Sequence, residues 1–302
     1  MPAERRPGMD HPHYEWSPIH TRTPLRWPDG STVAICLLVS LDHMEWAPPP
    51  GSFQAHNLAG GLGRRPGLDY ARLTHREYGH RVGIFRVLEC ARKHGVPVSL
   101  AMDALTAEHY PTLVRHCVEA GVDFVGHGIS VSRMITSRMS EDEERAYISE
   151  SLDTLEHATG QRPLGWLGPE YGESVRTPAL LAEAGLSHVF DWANDEQPYR
   201  MTTPNGELYA LPVMLELDDI HALWDRNVDL ARYEQLLVES ATQLAHDGAQ
   251  NARTLVLHIH PWLMGQPFRI RALDRALKRI LAINGVRAVR ANDLVSWAKV
   301  PS

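Results

Sequence analysis

The chain repeats one pattern of apolar and polar positions: an amphipathic helix, a glycine and then a short apolar strand. Residues 82–94 carry apolar side chains at helical spacing, Gly95 follows, and residues 96–102 form an apolar run. A glycine in this place supplies the left-handed backbone that commonly ends a helix. Residues 33–41 and 208–215 predict two further strands. The same helix–glycine–strand order recurs along the chain, over residues 111–126, 140–167, 177–190, 230–259 and 270–289.

Strands that stay apolar along their length and alternate with helices indicate an α/β fold with a parallel sheet covered by helices. About seven such units favour a closed (β/α) barrel, and a length of 302 residues suits a single barrel domain over residues 1–302. An open doubly wound sheet is the alternative.

Ser140 and Glu143 also predict a capping box at the start of one helix.

Two segments interrupt the repeat. Residues 1–30 are rich in proline, histidine and arginine, and we expect them to wrap the barrel or a neighbouring subunit. Residues 43–80 form a long connection that contains Pro48–Pro50 and Gly60-Gly61. Long loops after a barrel strand usually have a function, so we expect residues 43–80 to lie on the rim beside the site.

The composition excludes several classes of protein. A hydrophobic content of 43% and a charged content of 22% are ordinary for a soluble globular domain. No apolar run approaches the roughly 20 residues that a membrane helix needs. The net charge of −7 and the scattered Arg and Lys argue against a nucleic-acid partner. Cys36, Cys90 and Cys117 lie in apolar segments without CxxC pairing, and no secretory signal is visible, so a cytoplasmic protein with reduced thiols is expected.

Candidate chemistry lies at the carboxyl ends of the strands, because the active site of a parallel barrel gathers there. Asp42 emerges after the first apolar strand, His127 stands between two glycines after the third, and His260 follows the seventh. The glycines beside His127 are expected to leave space for a ligand. His258 is interpreted as a buried core residue, and other polar or aromatic residues share the predicted rim: Glu45, Trp166, Glu170, Asp191, Trp192, Asp195 and Trp262. The tryptophans suit either pocket walls or packing.

Asp218 and Asp219 follow the sixth predicted strand and are interpreted as loop or cap residues, so they stay outside the predicted site.

Motifs along almost the whole chain resemble the polysaccharide deacetylase superfamily, with its NodB-homology barrel. The resemblance is to the intracellular branch of allantoinase-like proteins and cyclic imide hydrolases. It is carried by 12–18 (PHYEWSP), 78–83 (YGHRVG), 126–128 (GHG), 140–145 (SEDEER), 165–169 (GWLGP), 191–195 (DWAND) and 260–265 (HPWLMG). It implies a distorted (β/α) barrel of about seven parallel strands, a hydrolase acting on carbon–nitrogen bonds other than peptide bonds, and a homo-oligomer, dimer or tetramer.

The sequence departs from the sugar deacetylases of this superfamily at two places. Their first strand carries paired aspartates, but here the segment is Ser40-Leu41-Asp42-His43. Their His-x-x-x-His motif becomes His127-Gly-Ile-Ser-Val131, so the second histidine is a valine. Asp42 and His127 would be two ligands of a divalent metal such as zinc, while a catalytic zinc usually has three protein ligands. The resemblance therefore leaves a zinc-dependent and a metal-free enzyme both open.

The leading hypothesis is hydrolysis of an amide or imide bond in a small cyclic substrate, such as a ureide, imide or lactam. Asp42, alone or with Glu45, would activate water; His127 would hold a metal or stabilise the oxyanion; His260 would protonate the departing nitrogen. Further residues would bind substrate: Arg81, Trp166, Glu170, Asp191, Trp192, Asp195, Trp262 and Arg269. The alternatives are a metal-dependent N-deacetylase acting on a non-cyclic amide and a barrel that only binds a small molecule.

Overall fold

The computed structural model describes residues 10–63 and 67–299. Residues 1–9 of the predicted wrapping arm, 64–66 of the predicted rim loop and 300–302 lie outside the described residues. The strands are β1 Val33–Leu41, β2 Val98–Met102, β3 Asp123–Gly126, β4 Gly165–Trp166, β5 His188–Val189, β6 Tyr199–Arg200, β7 Tyr209–Ala210, β8 Arg253–Ile259 and β9 Val286–Ala288. The helices are α1 Tyr70–Tyr78, α2 Ile84–Lys93, α3 Ala104–His109, α4 Pro111–Glu119, α5 Glu141–Thr159, α6 Thr177–Glu183, α7 Leu230–Gly248, α8 Pro261–Met264, α9 Ile270–Leu281 and α10 Ala291–Ala298.

The strands form one curled sheet with the order β6-β7-β5-β4-β3-β2-β1-β8. Their pairings are parallel except for the antiparallel hairpin of β6 and β7, and β9 pairs in parallel with the first residues of β1. Val213, just after β7, makes a parallel bridge to Val256 of β8, which brings the two ends of the sheet together. The predicted distorted (β/α) barrel is confirmed.

The alternation of side chains along β1 explains why the whole strand is apolar. Val33, Ile35 and Leu37 pack against the outer helices α2, α7 and α9, whereas Ala34 and Cys36 face a second core cluster with β3 and β8. Successive side chains of a strand point to opposite faces, so a strand covered on both faces needs apolar residues at every position.

Helix ends follow the sequence signals in most places. Ser140 and Glu143 form the predicted capping box at the start of α5, and Gly160 ends that helix with a φ of 73°. Helix α6 begins at Thr177, after the N-cap residue Arg176, and has Pro178 in its first turn. Proline suits this position, since the amide N–H that it lacks would have no partner in the first turn.

The described part of the N-terminal segment packs on its own barrel. The Arg22 guanidinium bonds both carboxylate oxygens of Asp195. The indole N–H of Trp27 donates to the carbonyl of Arg253 at 2.9 Å. Residues 10–30 thereby cover the β6 side and the lower end of β8.

The three cysteines are free thiols buried in this core. Among the described residues, no helix combines the length and apolar character needed to cross a bilayer.

Candidate active site

Asp42 lies at the top of the inward-facing row of β1. The strand register pairs Leu38 of β1 with His258 of β8. Asp42 and His260 follow these residues on the same face of the two strands, so their side chains are on neighbouring strands. Asp42 is 4% exposed, and its Oδ2 accepts a hydrogen bond from Arg76. Its Oδ1 has no hydrogen-bond partner among the described residues. Burial alone would raise the pKa of Asp42, but Arg76 and the nearby histidines His260, His127 and His80 lower it to about 2. Asp42 is therefore an ionised carboxylate with one free oxygen.

Arg76 supplies the fixed positive charge of the site. It lies on α1, its side chain is 1% exposed, and its Nη1 is 3.6 Å from Oε1 of Glu170. Its guanidinium also stands 5.3 Å from the centre of the Trp262 ring, a cation–π contact. The arginines predicted from the sequence are Arg81 and Arg269. Arg76 is not among them, since helix α1 falls within the segment 43–80, which is predicted only as a rim loop.

His127, after β3, is a neutral imidazole with a defined tautomer. Its Nδ1 is 2.6 Å from the carbonyl oxygen of Leu167, which can only accept, so Nδ1 carries the proton. Burial lowers the pKa of His127 to about 4, although Asp42 opposes that shift. Its Nε2 is therefore an unprotonated acceptor. This corrects the oxyanion role predicted for His127, because a nitrogen without a proton cannot donate to an oxyanion.

The glycines beside His127 serve packing rather than ligand access. A Cβ at Gly126 would meet the Trp166 ring at 2.9 Å, and a Cβ at Gly128 would collide with the Tyr147 hydroxyl. Gly128 also has a φ of 67°, which a side chain would strain. The prediction that this space admits a ligand is wrong, because Trp166, Tyr147 and Pro169 fill it.

His260, after β8, is an imidazolium held by Asp219. The backbone N–H of His260 donates to Oδ2 of Asp219 at 2.9 Å, and its Nδ1 is 2.6 Å from Oδ1. Burial would lower the pKa of His260, but Asp219, Asp218 and Asp42 raise it to about 9. Asp219 lies at the N-cap position of the segment Ile220–Asp225, as a cap residue would, but its buried side chain makes no cap bond and orients His260.

His258 and Asp218 form a second pair beside the first. Nδ1 of His258 is 2.7 Å from Oδ2 of Asp218, and its Nε2 is 2.7 Å from the hydroxyl of Ser40. The Tyr171 hydroxyl donates to the same Asp218 oxygen at 3.0 Å. His258 is thus the buried, hydrogen-bonded histidine that the sequence indicates. Oδ1 of Asp218 accepts from the backbone N–H groups of Ile220 and His221, so Asp218 is a cap residue as predicted, and its other oxygen binds His258.

The segment after β4 carries strained backbone next to Arg76. Glu170 and Tyr171 have φ angles of 53° and 56°, in the left-handed region that residues with a side chain seldom adopt. Burial raises the pKa of Glu170, and Arg76 opposes the shift. Such outliers persist where surrounding contacts fix them, often at functional sites.

One part of the chain matches the model of a known protein family. The family model described as polysaccharide deacetylase matches residues 77–189, which span β2 to β5 and include His127. The chain thus carries a segment, residues 77–189, that matches the polysaccharide deacetylases of the NodB-homology superfamily.

Several relatives match nearly the full length of the chain. A Schizosaccharomyces pombe protein assigned to the polysaccharide deacetylases is 24% identical over 90% of this chain and 92% of its own. The crystal structure of Puue allantoinase superimposes with a TM-score of 0.79 at 23% identity, covering 93% of this chain and 96% of that one. A Mycobacterium smegmatis structure, also assigned to the polysaccharide deacetylases, gives a TM-score of 0.75 at 23% identity, covering 91% and 93%. These structures share the fold of this chain.

Glu45 lies on the rim but is bound to other side chains. Its carboxylate accepts from Nε of Arg133 at 2.8 Å and from the hydroxyl of Ser130 at 2.5 Å. Burial would raise the pKa of Glu45, but Arg133 and Ser130 hold it below its usual value. Glu45 is therefore already engaged by a cation, which does not favour the predicted role as a second base.

The predicted tryptophans separate into three environments. Trp262 lies at the centre against Arg76, and its ring meets Trp224 in an edge-on contact at 5.7 Å. Trp192 contacts the N-terminal segment through His13. Trp166 is 0% exposed within the core cluster of α5 and α6, so it has no surface that a substrate could touch.

The remaining predicted binding residues are not gathered at Asp42. The Asp191 carboxylate accepts from the backbone N–H of Gly168, and Asp195 binds Arg22. Arg81 is exposed on the π-helical segment between α1 and α2, and Arg269 stacks on Phe268. Asp191 and Asp195 therefore stabilise the loop after β4 and the N-terminal segment.

The described residues of the chain contain two groups of side chains with metal-ligand chemistry: Cys90, His94 and Asp274 on the outer helices, and Asp218, His258 and His260 in the site. In the second group, both nitrogens of His258 are already hydrogen-bonded, and so are both oxygens of Asp218. Asp42 and His127 belong to neither group. The residues at Asp42 therefore do not fit a preformed three-ligand metal centre.

Proposed function

We propose that this chain is a hydrolase that cleaves the C–N bond of a small cyclic amide, imide or ureide. The observation that carries the proposal is the pairing of an ionised Asp42 with a protonated His260 on adjacent strands. A hydrolase of amides needs both functions, because water must lose a proton as it attacks and the departing nitrogen must gain one.

The base half of the reaction is supported by two acceptors. Oδ1 of Asp42 is buried without a hydrogen-bond partner among the described residues, and Nε2 of His127 carries no proton. A water molecule needs two acceptors to be oriented with one lone pair toward a carbonyl carbon. Asp42 then takes the proton of the attacking water, and His127 aligns that water.

The acid half is supported by the contact of His260 with Asp219. Asp219 bonds Nδ1, which leaves Nε2–H of the imidazolium to donate. A pKa of about 9 keeps that proton in place at neutral pH. Protonation of the nitrogen by His260 allows the C–N bond to break without release of an amide anion.

The burial of the site favours a small substrate. Asp42, His127 and His260 are 4%, 4% and 7% exposed. A polymer would need an open groove along these groups, whereas a ring of a few atoms can be enclosed beside Trp262. Enclosure also strengthens the electrostatic interactions of the site by excluding water.

Replacing Asp42 with Asn tests this function. Ring opening of hydantoin, dihydropyrimidines, succinimide and allantoin would be followed in a pH-stat, beside acetate release from N-acetylglucosamine oligomers. We expect the wild type to open at least one ring, and Asp42→Asn to lower kcat by about 10²–10⁴-fold, since a general base is lost. Glu45→Gln is the matched control, with at most a few-fold loss. Acetate release alone would instead establish an N-deacetylase, and retained turnover in Asp42→Asn would remove Asp42 from the mechanism.

A further inference from the structure

The positive charge beside Asp42 is a side chain of the protein, the guanidinium of Arg76. We infer that the Arg76 guanidinium takes the place beside Asp42 that a metal ion would otherwise occupy, and that it binds the carbonyl oxygen during hydrolysis. The second half of this inference rests on the proposed function; the first half does not.

Among the described residues, no group of three closely spaced metal-ligand atoms includes Asp42. Val131, four residues after His127, is 1% exposed and packs with Met44, Leu58 and Leu73 in a small apolar cluster. The position where the second histidine of the motif would stand is thus occupied by a hydrocarbon side chain that has no ligand atom. A divalent ion at Asp42 would also stand against the buried Arg76 guanidinium, and two like charges at such short range repel strongly in a medium of low dielectric constant.

Arg76 is fixed as firmly as a bound ion would be. Asp42, just after β1, and Glu170, in the segment after β4, face its charge. The carbonyl of Ala59 accepts from Nη1 at 3.3 Å, and the Trp262 ring lies beside it. Buried arginine is tolerated only with such partners. The position of the charge is therefore set before a substrate enters.

One donor of this guanidinium remains free. Nε of Arg76 is buried and has no hydrogen-bond partner in the described part of the chain. An unpaired buried donor costs stability, and it commonly marks a place where a ligand completes the bond. A carbonyl oxygen is an acceptor of suitable size for that N–H.

The reaction needs such a donor because the two histidines cannot provide it. The only N–H of His127 is bonded to Leu167, and the free N–H of His260 serves the departing nitrogen. When water attacks, its proton passes to Asp42 and the carbonyl π electrons move to oxygen, which gains negative charge beside Arg76. The C=O bond then re-forms, the C–N bond breaks, and the nitrogen takes the proton of His260. Transfer of the proton from Asp42 to His260 through solvent restores the site, so one water is consumed for each bond.

Metal titration tests the first half without any substrate. Zn²⁺ binding would be measured by calorimetry, and Co²⁺ by its visible absorption, in the wild type, Arg76→Ala, Val131→His and the double variant. We expect no metal site at Asp42 in the wild type or in Val131→His. The double variant, in which Asp42 is free of Arg76 and a histidine is added, should bind Zn²⁺ at least 100-fold more tightly than the wild type. Stoichiometric zinc in the wild type that disappears in Asp42→Asn would overturn the inference, even if the engineered variants failed to fold.

Chemical rescue tests the second half. On the ring substrate that the wild type opens, Arg76→Ala should lower kcat by about 10²–10³-fold with KM changed little, the loss typical of one oxyanion donor. Added ethylguanidinium should restore at least a tenth of kcat, whereas ethylammonium should not. Arg72→Ala, one turn earlier on α1, is the matched control and should keep kcat. An Arg76→Ala enzyme that is folded by thermal unfolding but is not rescued would show that Arg76 has only a structural role.

Discussion

Two consecutive aspartates orient two histidines of one strand. Asp218 bonds His258 and Asp219 bonds His260, and the two imidazole rings lie 4.5 Å apart. Both pairs are buried, but His258 has a hydroxyl on its other nitrogen, whereas Nε2 of His260 is left to donate. The partners of each ring, more than its position, therefore determine which histidine can act as an acid.

Removal of the Asp219 charge should move the alkaline limit of activity. Asp219, Asp218 and Asp42 raise the pKa of His260 to about 9 against the opposing effect of burial, so Asp219→Asn should lower it. Activity of the wild type should persist to about pH 9, and that of Asp219→Asn should fall at a lower pH while recovering in acid. The measurement is kcat/KM from pH 5 to 10.

The exposed pair of His221 and Asp225 provides the control, since Asp225→Asn should leave the profile unchanged. An unchanged alkaline limit in Asp219→Asn would show that His260 does not act as the acid.

A π-helical segment, Gly79–Gly83, joins α1 to α2 and packs against α8. An added Cβ at Gly83 would lie 2.0 Å from the carbonyl oxygen of Pro261, and one at Gly79 would lie 3.0 Å from the backbone nitrogen of Trp262. These close contacts hold the helix that carries Arg76 against the helix that follows His260. Both glycines therefore permit the geometry of the site.

Gly83→Ala should destabilise the protein, although alanine normally favours a helix by about 1 kcal/mol. The collision with Pro261 should reduce the free energy of unfolding by about 3 kcal/mol, as overpacking does, and should also lower kcat because Arg76 and Trp262 shift. Denaturant unfolding and the ring-opening assay measure the two effects.

Gly160→Ala is the comparison, because a Cβ there meets nothing within 4 Å and only the φ of 73° is strained. Its cost should be about 1 kcal/mol without a change in kcat. Equal losses in the two variants would contradict the role of the close contact at Gly83.

The sequence predicted most of the barrel and only part of the site. Helix–glycine–strand units such as 82–102 are visible because a sheet covered on both faces needs continuous apolar strands. Helix α1 is not visible in the sequence. It buries Leu73 and the charged Arg76, so it has no stripe of apolar residues that would reveal a helix. Asp218 and Asp219 were not predicted as site residues, because acidic residues after a strand usually lie in exposed loops. Only the folded chain shows that these two are buried against His258 and His260.

The two core clusters of the barrel bury all three thiols: Cys90 and Cys117 in the cluster under the outer helices, and Cys36 in the inner one. Cys36 and Cys117 are 0% exposed and Cys90 is 6% exposed. Burial raises the pKa of Cys36 and Cys117 to about 12 and that of Cys90 to about 11. A thiol must be both accessible and ionised to react, so reactivity depends on opening of the native structure.

A chromogenic aromatic disulfide at pH 8 should therefore label the native protein slowly and all three thiols at once after unfolding. The order of labelling is also predicted: Cys90 on α2 reacts first because it is the least buried. Cys90→Ser should remove the fastest phase and leave the slower two. Rapid labelling of Cys36 in the native state would contradict the closed core.

The burial of Arg76 against Asp42 means that the central cation is encoded in the gene and is present as soon as the chain folds. No loading step, metallochaperone or trace-element supply precedes its appearance, and dialysis cannot remove it. The same arrangement removes a means of control, because the cell cannot tune this charge by withholding an ion, and only synthesis, degradation or mutation can change it.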